Sequence, residues 1–123
     1  MGDQVAEISY GVIISEDAYN KLLAEAHTQE KHPKYNYEVD IPKKEYEGIK
    51  LEQPYETEDH LLVIEKSQES SFNGTSLIDI DFSTCDYQEW NNLINKVLTD
   101  FSIEAESKIG WLYDDGFDYG YDL

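Results

Sequence analysis

Two stretches of this chain space their apolar residues for a helix, and most of the rest alternates or runs apolar as strands do. After Ser15, an N-cap type, come Glu16 and Asp17 and then Tyr19, Leu22, Leu23 and Ala26, which predicts a helix over about 16–28. Asp86 and Glu89 form an acidic variant of the capping box ahead of Tyr87, Trp90, Leu93, Ile94, Val97, Leu98 and Phe101, which predicts a second helix over about 87–101. Around them, 5–14 reads as a largely buried strand. Tyr35, Tyr37, Val39 and Ile41 alternate with Asn36, Glu38 and Asp40 as a strand with one face buried, and a short strand is expected near 46–51. Residues 60–66 and 76–82 read as strands joined through Asn73-Gly74, the strongest short hairpin signal. A last strand over 108–113 leads into an acidic, aromatic end. The order implies an α+β domain spanning 1–123, with two helices packed on one face of a mostly antiparallel sheet of about four to six strands.

Charge then limits what such a domain can do. Asp and Glu number 27 against nine basic residues, all lysine, for a formal net charge of −18. Apolar residues at 40% and aromatics at 13% still permit a folded core, so the excess describes a surface rather than a disordered chain. That surface repels nucleic acid, anionic membranes and phosphorylated metabolites, and attracts basic protein. It also exceeds the net charge of magnitude ~2–8 that solubility needs in a small domain. Adaptation to high salt is one competing explanation. A single cysteine, no signal-peptide pattern and no apolar run near the ~18–20 residues that cross a bilayer make the cytoplasm the expected compartment.

Catalytic patterns are scarce. His27 and His32 are five apart rather than the four that places a metal-binding pair on one helical face, and one cysteine makes no thiolate zinc site. There is no glycine-rich phosphate loop and no nucleophile elbow, and without arginine the chain lacks the usual clamp for phosphoryl chemistry. Cys85 precedes a helix among acidic neighbours, which disfavours a reactive thiolate. Asp79-Ile80-Asp81 is explained by strand alternation, and the terminal acids do not keep calcium-loop spacing. The expectation is a binding protein with no cofactor and no metal, not an enzyme.

The carboxylates themselves are then the candidate site. Alternate strand residues stand ~6.6–6.8 Å apart, so Asp79 with Asp81, and Glu38 with Asp40, would project anions at phosphate-like separation. Glu56, Glu58 and Asp59 add an acidic loop. The terminal Asp114, Asp115, Phe117, Asp118, Tyr119, Tyr121 and Asp122 interleave acid with rings that suit a groove lined by Lys and Arg, although a terminal strand packing its rings inward accounts for the pattern equally well. In overall character, without any family motif, the chain resembles phage-encoded DNA-mimic inhibitors. The resemblance implies an acidic inhibitor that occludes the basic nucleic-acid-binding surface of a nuclease, CRISPR or restriction component, with no direct contact to nucleic acid or membrane. An immunity protein that neutralises a cognate nuclease toxin is the alternative.

Overall fold

A computed structural model of the chain describes residues 5–43, 45–54, 59–72, 81–114 and 117–123. In order they form β1 (Val5–Ile14), α1 (Glu16–Ala26), β2 (His27–Lys31), β3 (Glu38–Pro42), β4 (Ile49–Pro54), β5 (His60–Ile64), a 3-10 turn at Glu65–Ser67, β6 (Glu69–Phe72), a second 3-10 turn at Phe82–Thr84, α2 (Tyr87–Asp100), β7 (Gly110–Asp114) and β8 (Phe117–Asp122). The fold is α+β, as the sequence implies, with a six-stranded antiparallel sheet and a separate β2–β3 pair. Both helices start where their caps predict. The Ser15 hydroxyl accepts from the Ala18 N–H, and the Asp86 carboxylate accepts from the Glu89 N–H. At the end of α2, Ser102 takes a left-handed φ of 55°, the Ile103 N–H reaches the Leu98 carbonyl and the Ser102 N–H reaches that of Thr99, a Schellman closure without its usual glycine.

β1 is the hub. On one side Glu7–Gly11 pairs with β7; on the other, Gly11–Ile14 pairs with β5 and Val5–Ile8 with β6. β5 and β6 are thus one long run interrupted by the turn at Glu65–Ser67. Across that gap the Ser67 hydroxyl stands in for a ladder carbonyl: it accepts the Tyr10 N–H at 2.8 Å and donates to the Ile64 carbonyl at 2.6 Å.

The helices cover one face of this sheet. Tyr10, Val12 and Ile14 of β1, Ile49 and Leu51 of β4, and Leu62 and Ile64 of β5 pack against Ala18, Tyr19 and Leu22 of α1 and Trp90, Ile94 and Val97 of α2. Gly11 lies at the point where β1 crosses β5 most closely. A Cβ there would sit 2.0 Å from the Leu62 carbonyl oxygen, so no other residue fits.

The other face closes on itself. β7 pairs with β1 and β8 with β4, so the two outermost strands lie four strand spacings apart, roughly 19 Å in a flat sheet. Only two residues separate Asp114 from Phe117, a reach of about 11 Å at most. The sheet therefore bends round. With helices filling one face, it bends over the other, which buries Leu61, Val63, Ser9, Glu7 (2% exposed) and Glu52 (0%). The Gln68 side-chain amide donates to both glutamates, at 2.7 Å to Glu7 and closely to Glu52. One amide thus supplies a hydrogen bond to each of two buried glutamate side chains.

Several expectations need correcting. The first helix ends at Ala26, and the residues after it form a strand, β2, that the sequence reading missed. The strand expected over 35–41 starts only at Glu38, and its aromatic residues are not buried: Tyr35 is 60% exposed and Tyr37 52%. Among the described residues β3 pairs with β2 alone, and Val39 and Ile41 are only half-buried. At 76–82, Asp81 caps a 3-10 turn and Phe82 begins it, so neither belongs to a strand and Phe82 does not turn inward. Asn73 to Ile80, including the hairpin expected at Asn73-Gly74 and Asp79, lie outside the described residues. Of the two readings of the terminal segment, the strand is found: β8 forms an edge of the sheet and Leu123 is buried beyond it.

Candidate acidic and aromatic interface

An aromatic cluster grows from the α2 side of the sheet towards the surface. The Tyr10 ring meets Tyr87 at 5.1 Å, Trp111 at 5.4 Å and Trp90 at 5.6 Å, centroid to centroid, and its hydroxyl donates to Asn91 Oδ1 at 2.8 Å. Trp90 and Trp111 stand 6.4 Å apart at 83°, an edge-to-face corner, and the Trp111 indole N–H is taken up by the Tyr87 hydroxyl at 3.3 Å. Outside this corner Phe82 packs edge-on against Trp111 at 5.9 Å while remaining 58% exposed. Tyr113, two residues along β7 and so on the same strand face as Trp111, is 63% exposed.

Carboxylates surround the corner. Asp81, Asp86, Glu89 and Glu69 line a cavity of about 410 Å³ together with Trp90, Trp111, Thr84, Cys85, Ser67 and Lys66. Local folding places each of them: Asp81 and Asp86 cap the turn and the helix they precede, Glu89 occupies the first turn of α2, and Glu69 opens β6. The Ser83 hydroxyl, at 2.5 Å, and the Ser83 N–H, at 3.0 Å, donate to Asp81 and hold its carboxyl below the usual range, so it stays ionised in mild acid. Among the described residues Lys66 is the one cation in the lining.

The other candidates fall elsewhere. Glu38 is exposed on β3 opposite Lys31, and Asp40 lies opposite Gln29 in the same hairpin, so these acids belong to a different sheet from the cavity. Asp59 is exposed just ahead of β5, and Glu56 and Glu58 lie outside the described residues. Asp114 ends β7, while Phe117, Asp118, Tyr119, Tyr121 and Asp122 lie along β8 with their backbones paired to β4; Asp115 is outside the described residues. Asp81 caps a turn and Glu38 lies in the β2–β3 pair, so these two do not stand in one sheet as rows of strand carboxylates, and Asp79 is outside the described residues. Phe82, Trp111, Asp86, Glu89 and Glu69 were missed as site residues. Their roles as cap, helix turn and strand were legible, but not their convergence.

A second exposed aromatic group sits at the tip of the β2–β3 hairpin. Tyr35 and Tyr37 stack at 5.8 Å and 12°, and His32 packs on both, at 4.9 Å and 5.1 Å. The Lys34 N–H donates to His32 Nδ1, and the Lys43 N–H donates to the Ala26 carbonyl at the hairpin base.

Among the described residues no three His, Cys, Asp or Glu side chains converge as a metal site, and no helix is long and apolar enough to cross a membrane. Comparison with protein-family models, curated proteins and solved structures finds no match.

Proposed function

We propose that this protein is an acidic inhibitor that binds the basic nucleic-acid-binding surface of another protein, a nuclease or a CRISPR or restriction component, in the cytoplasm. The observation that carries the reading is that Trp111 shares a cavity with four carboxylates and is flanked by two exposed rings, Phe82 packed against it and Tyr113 two residues along β7, on a chain of net charge −18. Isolated charge serves solubility; rings held out among charges serve contact. The long-range field steers a basic partner to encounter, and desolvated rings then hold it. Binding is competitive with nucleic acid and involves no catalysis. Mimicry rests here on matched charge and aromatic anchors rather than on strand carboxylates set at phosphate spacing.

The test has two stages. Affinity capture from the native host identifies a basic nucleic-acid-binding protein, and that protein is then offered duplex DNA or RNA and the inhibitor together. The proposal requires mutually exclusive binding that weakens as salt rises. A ternary complex of all three overturns it.

A further inference from the structure

The cavity at the tryptophan corner has a narrower chemistry than the surface around it. Its wall is two indoles at right angles, with the Trp111 N–H already satisfied by Tyr87, so what Trp111 offers a guest is its ring rather than a donor. Among the described residues its rim carries Glu69, Asp81, Asp86 and Glu89 against Lys66. An anionic guest is repelled, and a neutral apolar one leaves the rim charges to be desolvated without compensation. We propose that this cavity receives an arginine side chain of the basic partner, an inference that rests on the inhibitor function proposed above. Charge complementarity selects a cation. The indole wall then selects guanidinium over ammonium, because a planar, weakly hydrated cation stacks on a ring while its edge donates to carboxylates in a fixed fork.

Lys66 gives the inference a sign that can be checked. Its side chain also lines the adjoining cavity of about 340 Å³ with Glu47, Glu89 and Trp90, so it sits where it competes with an incoming cation for Glu89. Neutralising a rim acid must weaken arginine binding, whereas neutralising Lys66 must strengthen it. A general loss of structure would move both the same way.

The chain has two tryptophans and both line this cavity, so their indole N–H resonances respond together when it is occupied. The probe is N-acetyl-arginine methylamide, titrated into the intact protein by NMR, with the lysine and citrulline analogues as controls. Saturable shifts of both indoles are expected in the ~1–50 mM range, fitting one unassisted side chain. The lysine analogue binds more weakly, and citrulline, the uncharged analogue, weaker still. Glu69→Gln and Glu89→Gln each weaken arginine binding by roughly two- to five-fold, and Lys66→Gln tightens it by a similar factor. Indoles that do not respond, citrulline binding equal to arginine, or Lys66→Gln weakening the interaction would each overturn the assignment. Because the probe needs no partner, the two proposals fail separately. A silent cavity with intact exclusion of DNA removes only the arginine site, and a responsive cavity with a ternary complex removes only the inhibitor.

Discussion

The β2–β3 hairpin and the main sheet carry the same kind of alternating sequence and meet opposite fates. In the main sheet Val12, Leu51 and Leu62 vanish under α1 and α2, while in the hairpin Tyr35 and Tyr37 stand in water and stack on His32 and each other. Alternation assigns residues to a face; it does not supply what covers that face. An alternating pattern whose rings stay exposed becomes a display surface, and a short two-stranded element is only marginally stable by itself.

Substitutions can break or sharpen this contrast. The largest effect belongs to Gly11→Ala, whose added Cβ meets the Leu62 carbonyl where β1 and β5 cross. It should cost more than ~4 kcal/mol in urea or guanidinium unfolding, or abolish folding altogether. Leu62→Ala, which empties a fully buried position under the helices, should cost about 3–4 kcal/mol by the same measurement. On the face without helices, Gln68→Met keeps the shape of the side chain but removes the amide shared by Glu7 and Glu52, at about 2–3 kcal/mol. In the hairpin, Tyr35→Ala combined with Tyr37→Ala should leave global stability within about 0.5 kcal/mol, since both rings are already exposed. A loss as large as that of Leu62→Ala would show that the hairpin is bound into the main cooperative unit.

The last effect is absent near neutrality and confined to alkaline pH. Tyr46 is buried and its hydroxyl donates to Asp100 at 2.8 Å; burial, that hydrogen bond and the nearby Asp100 and Glu45 charges push its pKa from 10.0 up to about 12. Above pH 10 the unfolded phenol ionises while the folded one keeps its proton, so the folded state binds more protons and stability falls as pH rises towards about 12. Tyr46→Phe should flatten that part of the stability profile and leave the rest of its shape unchanged.

Much of the fold is legible from neighbouring residues. Ser15 and Asp86 mark their helices because capping is local, and the stripe Trp90, Ile94, Val97 shows which side of α2 is buried. The site was legible only in pieces. The alternation of Ile78, Ile80 and Phe82 around Asp81 predicts a strand, yet the Ser83 hydroxyl and N–H hold Asp81 as a turn cap. Nothing near Glu69, Asp86 or Trp111 in the chain announces that they share a cavity, since three separate elements supply them.

By itself the sequence determined where the two helices begin, the α+β class and the charge excess, because capping, periodicity and composition act over a few residues or over the whole chain at once. Only the tertiary structure decided that the last strands pair with opposite edges of the sheet, that two glutamates lie buried around one glutamine, and that rings and carboxylates meet at the tryptophan corner. Those outcomes depend on which edges find each other across the chain, and strand alternation is blind to that.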